Sequence, residues 1–354
     1  KELLGASEFK NFKSDYLFLD RHSILKSRLV DLVNSFSSLN VVVVGDLIID
    51  EYIYCEALGM SQEDPTIVVS PIDTARFVGG AGIVSAHVAG LGAKSTYITV
   101  VGDDDAGEAA KKSLDTYGVQ HHFIIDNTRP TTLKQRFRSG SKTLLRVNNL
   151  KSHDLGDKES IEFVHKFLSK IKEIDSVIFS DFNYGCLPQH LVDTLSQYCR
   201  KEKIPYVADS QASSQMSDVS RFKGSHLISA TEREVRLATN DFKSGIQKIS
   251  NSLIEKSDAK NLIVKLGAEG LVALANNPNY KTDSLKAFNS NPVDTAGAGD
   301  ALLATVALAK KLGASVWEAT YLGNVAAAIQ VSRLGNVPIK KEELIEVLMK
   351  ELAK

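Results

Sequence analysis

The run Val41-Val42-Val43-Val44 stops at Gly45-Asp46, and short apolar, β-prone runs of the same kind return at 97–101, 177–180, 206–208, 227–229 and 262–265. Apolar runs without polar alternation suit strands buried on both faces, as in a parallel sheet covered by helices. Helical spacing fills the gaps at 82–91, 106–117, 160–172 and 187–201. This alternation predicts an α/β fold, a doubly wound and mostly parallel sheet flanked by helices. Two segments, 52–71 and 131–147, break the rhythm with β-prone residues and no intervening helix, and predict a small antiparallel sheet serving as a lid. The last third turns helical at 301–311, 316–331 and 341–353. Ahead of the first strand, Ile24, Leu25, Leu29, Leu32 and Val33 make an apolar helical stripe. Residues 1–38 therefore read as a linker with a docking helix, and 39–354 as the principal domain.

A chain of 354 residues with 43% hydrophobic content can bury one large core. Its 42 basic and 43 acidic residues leave a formal charge of -1, so no global field holds it on nucleic acid or an anionic membrane. An anionic ligand must be held by a local cluster. Cys55, Cys186 and Cys199 are odd in number and lack C-x-x-C spacing, which speaks against a disulfide framework or structural zinc and for reduced thiols in the cytoplasm. No apolar run approaches the roughly 20 residues of a membrane span, and no signal-peptide pattern is present. The chain opens on Lys1 rather than Met, which reads as a processed chain or part of a longer one.

The candidate chemistry centres on Asp294-Thr295-Ala296-Gly297-Ala298-Gly299-Asp300, which runs directly into Ala301-Leu302-Leu303-Ala304. A small-residue turn opening into a helix presents free backbone N–H groups at the positive end of the helix dipole, a ready site for phosphate. A carboxylate at that helix start can take the proton of a hydroxyl attacking the phosphate. Asp300 is thus the expected catalytic base, and Ala296, Gly297, Ala298 and Gly299 the expected anion hole.

These seven residues resemble the second signature of the ribokinase-like, PfkB-type carbohydrate kinases, D-T-x-G-A-G-D. The first signature is resembled by Phe77-Val78-Gly79-Gly80-Ala81-Gly82 and by Val101-Gly102-Asp103-Asp104-Asp105-Ala106-Gly107. The resemblance implies ATP and Mg2+ as cofactors, with a monovalent cation as a further candidate. It implies sugar contacts from Asp50, Gly79 and Gly80, and a nucleotide side built from Thr231, Lys265, Gly267, Gly270 and Asn324. Glu234 matches the family's Glu that orders magnesium through water, with Thr231 in the place of the usual Asn. A dinucleotide-dependent oxidoreductase is excluded, because Gly45-Asp46-Leu47-Ile48 is not the G-x-G-x-x-G turn it needs.

Within the family, the pattern is most similar to the heptose 7-phosphate kinase domain of ADP-heptose synthase, through 45–54, Ser61-Gln62-Glu63-Asp64-Pro65 and Ser180-Asp181-Phe182. That likeness implies Asp181 as a substrate contact and a sugar that already carries a phosphate. Lys134, Arg136 and Arg146 would bind that phosphate, on strands folded back at Ser139-Gly140-Ser141. Ile83 stands where most relatives have Asn, Tyr184 where heptose kinases have Lys, and Asp209-Ser210-Gln211 where they have D-P-K. The alternatives are a kinase for an unphosphorylated sugar or nucleoside, and a ribokinase-fold binding or regulatory module with weak turnover. A homodimer paired through the lid and fusion to a nucleotidyltransferase domain complete the expectations.

Overall fold

The computed structural model describes Phe12 and residues 15–140, 142–212, 216–275 and 282–351. Ser141 of the expected turn and the end of the helix expected to reach 353 lie outside them. A nine-stranded sheet forms the centre. β1 (Asn40–Gly45) pairs in parallel with β4 (Lys94–Val101) on one side and β8 (Ser176–Asp181) on the other. β5 (Gln120–Ile125) extends the sheet beyond β4, while β9 (Tyr206–Ser210), β10 (Leu227–Thr231) and β11 (Asn261–Lys265) extend it beyond β8, all in parallel. β12 (Leu271–Ala275) and β13 (Asp283–Leu285) close that edge antiparallel.

The valine run shows why the sheet is covered on both faces. Val41 and Val43 belong to one buried cluster and Val42 and Val44 to the other, the two-residue period of a strand. The first cluster holds α3 (Ala81–Gly90), α4 (Asp105–Thr116), α9 (Ala298–Lys311) and α10 (Val316–Gln330). The second holds α5 (Asp157–Lys170), α6 (Gln189–Lys201), α7 (Glu232–Thr239) and α8 (Ile246–Ser257). Strands run outward from β1 in both directions, so the ends of β1 and β8 form a topological switch point, where open α/β sheets bind ligands. A Cβ on Gly45 would lie 1.8 Å from the Ser180 carbonyl oxygen, so only glycine lets the two strand ends approach this closely. Next to it, the buried Asp46 carboxylate accepts from the N–H groups of Phe182 and Cys186 at 2.7 and 3.2 Å and fixes the loop after β8.

The small sheet has the order β3-β2-β6-β7, with β2 (Leu47–Met60), β3 (Ile67–Gly80), β6 (Thr132–Ser139) and β7 (Lys142–Asn149). Its outer pairs are antiparallel as expected, but β2 and β6 run parallel, because the chain passes through α3, β4, α4 and β5 before returning. The strands are also longer than the expected 52–71: β2 begins at Leu47 and β3 ends at Gly80, which carries the sheet to the switch point. Glu51 ties three of its strands together, accepting from Arg76 on β3 and from Gln135 on β6, both at 2.6 Å.

The docking helix is α2 (Lys26–Ser35), which buries Leu29, Leu32 and Val33 and packs on α11 (Lys341–Glu351). Leu25 departs from the expected stripe: it is the residue before the first helical turn and is 68% exposed. A further helix, α1 (Tyr16–Arg21), precedes it. Cys55, Cys186 and Cys199 are free and buried. Among the described residues, no helix is long and apolar enough to cross a membrane.

Candidate active site

A cleft of about 700 Å³ runs along the carboxyl ends of the central strands and under the small sheet. Asp50, Gly80, Lys134 and Arg136 line one end, the 295–300 turn the middle, and Thr231, Glu234, Lys265, Gly267, Gly270 and Asn324 the other. Gly297, with a positive φ of 77°, precedes α9, and Ala301 makes the first intrahelical bond to the Gly297 carbonyl at 2.9 Å. The N–H groups of Ala298, Gly299 and Asp300 therefore have no intrahelical partner. Ala296 contributes differently from expectation, because its N–H already donates to Asp294 Oδ1 at 3.0 Å. The other oxygen of Asp294 accepts from the Tyr52 hydroxyl and the Gly335 N–H at 3.0 and 3.1 Å, which fastens the turn to the small sheet. A Cβ on Gly297, where φ is already positive, would come within 2.4 Å of Asn336 Oδ1, and one on Gly299 within 3.3 Å of Lys265 Nζ, so a side chain is excluded at the first position and crowded against the lysine at the second.

Asp300 opens α9 with its carboxyl buried. Burial pushes that carboxyl up to about 7, with Asp209 adding to the push and Lys265 opposing it. Lys265 Nζ sits 2.5 Å from Asp209 Oδ2. Burial raises Asp209 to about 6 despite the attraction of Lys265. Burial also works against the Lys265 charge, but Asp209 and Glu234 overcome it and hold the lysine above its usual value. Asp209 Oδ1 is buried without a hydrogen-bond partner, an acceptor beside the anion turn that a hydrated cation would satisfy. Glu234 completes a capping box with Thr231 at the start of α7 and also accepts from the Ala212 N–H at 3.0 Å. No cluster of three or more His, Cys, Asp or Glu side chains among the described residues could cage a metal by itself. Magnesium tolerates this, since it keeps several waters and rests on one or two carboxylates together with substrate phosphates.

At the end of the cleft under the small sheet, Arg136 Nη1 is 2.5 Å from Asp50 Oδ1 and its guanidinium lies 5.2 Å from the Tyr52 ring centre. The expected group of bare cations is thus partly neutralised from the neighbouring strand. Lys134 lies 5.1 and 5.8 Å from the ring centres of Tyr184 and Phe182. Arg146 faces Arg136 across the β6–β7 pair but is exposed and does not line the cleft. Asp181 is also outside the lining. Its buried carboxylate accepts from Arg221, Ser210 and Asn183 at 2.8, 2.7 and 3.0 Å. Gly79 makes room for Asp50, since a Cβ there would stand 2.6 Å from Oδ2. Ile83 is fully buried in the core rather than in the cleft. Asn336, which the sequence did not single out, lines the cleft and donates to Asp50 Oδ2 at 3.3 Å. Gln211 donates to Asp300 Oδ1 at a long 3.4 Å.

The fold and this cleft define a kinase that acts on a carbohydrate hydroxyl, and comparison with known proteins agrees. Residues 38–342 match the pfkB family of carbohydrate kinases, and the chain belongs to that family. Among curated proteins, it is 31% identical over 327 residues to the bifunctional protein HldE of Caulobacter vibrioides, covering 89% of this chain and 65% of that one. It is 29% identical over 316 residues to HldE of Desulfatibacillum aliphaticivorans, covering 88% and 63%. The chain therefore spans just under two thirds of those relatives. Among solved structures, phosphofructokinase-2 from Escherichia coli superposes with a TM-score of 0.73 at 15% identity, covering 89% of this chain and 99% of that one. Arabidopsis thaliana ribokinase complexed with ribose and ATP superposes with 0.67 at 20%, covering 88% and 98%.

The charges facing Asp300 come from Asp209 on β9, Lys265 on β11, Asp50 on β2 and Lys134 on β6. A base must be deprotonated to act, so kcat/KM should fall as pH drops through about 7. Asp209→Asn removes the negative neighbour and should move that acidic limb down by roughly one pH unit, whereas Lys265→Met should move it up. Overlaid profiles of wild type and Asp209→Asn would show that Asp209 does not set the base.

Proposed function

We propose that this kinase transfers the γ-phosphoryl group of ATP to a hydroxyl of a sugar that already carries a phosphate, a heptose 7-phosphate-like substrate of nucleotide-sugar biosynthesis. The observation that carries the reading is Lys134. It lies in the cleft, within electrostatic reach of Asp300, and among the described residues it has no carboxylate in ion-pair range. A cation so placed fits an anion on the sugar. The HldE relatives support the same substrate class.

Asp50 and Asn336 orient sugar hydroxyls, and Asp300 accepts the proton of the attacking one. The new oxygen–phosphorus bond forms as the bond to the ADP oxygen breaks. The N–H groups at the start of α9 and the Lys265 ammonium stabilise the charge that develops on the transferring group. Mg2+-ATP, when bound, would supply that group and a compensating positive charge, and the turn and, through water, Glu234 and Asp209 would hold it. Gly267, Gly270 and Asn324 bound the nucleotide end. Use of ATP and three unpaired thiols favour the cytoplasm.

The small sheet is the proposed seat of a second copy of this chain. The far ends of β2 and β3 expose Leu58, Met60 and Ile67, and β7 exposes Leu145 in mid-strand, apolar surface with strand edges that a second sheet would cover. Light scattering at micromolar concentration should give the dimer mass, and a monomer would remove this pairing.

A coupled ADP-release assay over sugars and sugar phosphates tests the substrate. Lys134→Ala should raise KM for a phosphorylated sugar about tenfold to a hundredfold more than for its unphosphorylated counterpart, the worth of one charge-assisted contact. Arg136→Ala removes the ion-pair partner of Asp50 and should impair both sugars. A wild-type preference for the unphosphorylated sugar, or equal effects of Lys134→Ala on both, favours a simple sugar kinase.

A further inference from the structure

The family match begins at residue 38, yet the chain before it packs on the outer side of the loop that walls the nucleotide end of the cleft. That loop follows β13 and contributes Ala287, Phe288 and Asn289 to the lining. From the inner side, α10 holds the loop through one backbone and one side-chain contact: Asn324 Nδ2 donates to the Lys286 carbonyl at 2.7 Å, and the loop's Asn289 Nδ2 donates to the Ala328 carbonyl at 3.3 Å. From the outer side, Phe12 forms an isolated antiparallel bridge with Asn289 and sets its ring 5.4 Å from that of Phe288. Phe288 is itself buried, 5.0 Å from the Tyr321 ring.

The contacts continue through α1. Phe18, fully buried, stacks on Tyr321 with ring centres 6.4 Å apart, and His22 stacks on Trp317 at 4.2 Å with an interplanar angle of 14°. Arg21 and His22 both reach Asp283 Oδ2, at 3.0 and 2.7 Å, at the start of β13. The loop is thus held between α10 and the amino-terminal segment, with an aromatic bridge on one flank and an ion pair on the strand that leads into it. β13 has only three residues and lies at the sheet edge, so the sheet alone gives the loop little rigidity.

We propose that Phe12 together with residues 15–22 acts as a strut that positions the 286–290 loop, so that nucleotide affinity in this kinase is set by a segment outside the family match, with Phe12 as a positioning residue. The proposal rests on the reading of this end of the cleft as the nucleotide end. Phe12 touches the loop and not the reacting atoms, so it acts on nucleotide binding and leaves the phosphoryl step alone. An aromatic contact of this kind corresponds to a change of about two- to tenfold in an equilibrium constant.

The test is calorimetric titration of the full chain with a non-hydrolysable ATP analogue in the absence of sugar, together with KM for each substrate and kcat. Phe12→Ala should weaken analogue binding and raise KM for ATP by about two- to tenfold, with kcat and the sugar KM unchanged. Phe12→Leu, which keeps an apolar contact, should lie closer to wild type. Leu17→Ala, on the exposed side of α1, should match wild type. Unchanged analogue affinity in Phe12→Ala, or an equal loss for sugar and nucleotide, overturns the strut. A wild-type chain that binds no analogue overturns the nucleotide reading itself and the strut with it.

Discussion

Asp209 and Asp300 share a single lysine at the carboxyl ends of the central strands, and the chemistry of the cleft follows from their removal from water. Two buried carboxylates repel each other's charge, and Lys265 is placed to compensate for one of them. Asp209 takes the direct ion pair, which leaves Asp300 the carboxyl whose proton affinity is poised near neutrality. A carboxyl with an ordinary value would be a weak base at neutral pH. The same lysine borders the Gly299 backbone, so it also adds positive charge at the start of α9.

The fold assembles this arrangement from separate parts of the chain. The parallel strands β9 and β11 present Asp209 and Lys265 at equivalent ends, while α9 brings the anion turn across them. The small sheet supplies Asp50 and Lys134 from above. Asp294 joins the two halves, since it accepts both from Ala296 within the turn and from Tyr52 on β2. The 295–300 turn and the end of the cleft lined by Asp50 and Lys134 are thereby fixed to each other.

Features carried by consecutive residues were legible in the sequence. The valine run revealed a strand buried on both faces, and the seven residues from Asp294 to Asp300 revealed a small-residue turn that opens a helix beside a carboxylate, because in both cases the meaning is local. What depended on distant contacts was not legible. Asn336 meets Asp50 across 286 residues, and nothing around Asn336 marks it. Arg136 was counted among bare cations because its partner Asp50 lies on another strand. Thr231 and Glu234 carried the signature of a capping box, and that role holds their side chains beside whatever they contribute to nucleotide binding. β5, with His121 and His122 in its first half, and the three-residue β13 lacked an apolar run, whereas β12, Leu271–Ala275, carries one that was not read as a strand.

The central claim is that the buried carboxyl at the start of α9 takes the proton in the phosphoryl step. Asp300→Asn keeps the size and burial of that side chain while abolishing its basicity, so its turnover and nucleotide affinity together test the claim most directly. The account predicts a fall in kcat of at least about a hundredfold, with ATP-analogue affinity within a few fold of wild type. An Asp300→Asn enzyme that turns over at close to the wild-type rate would contradict it.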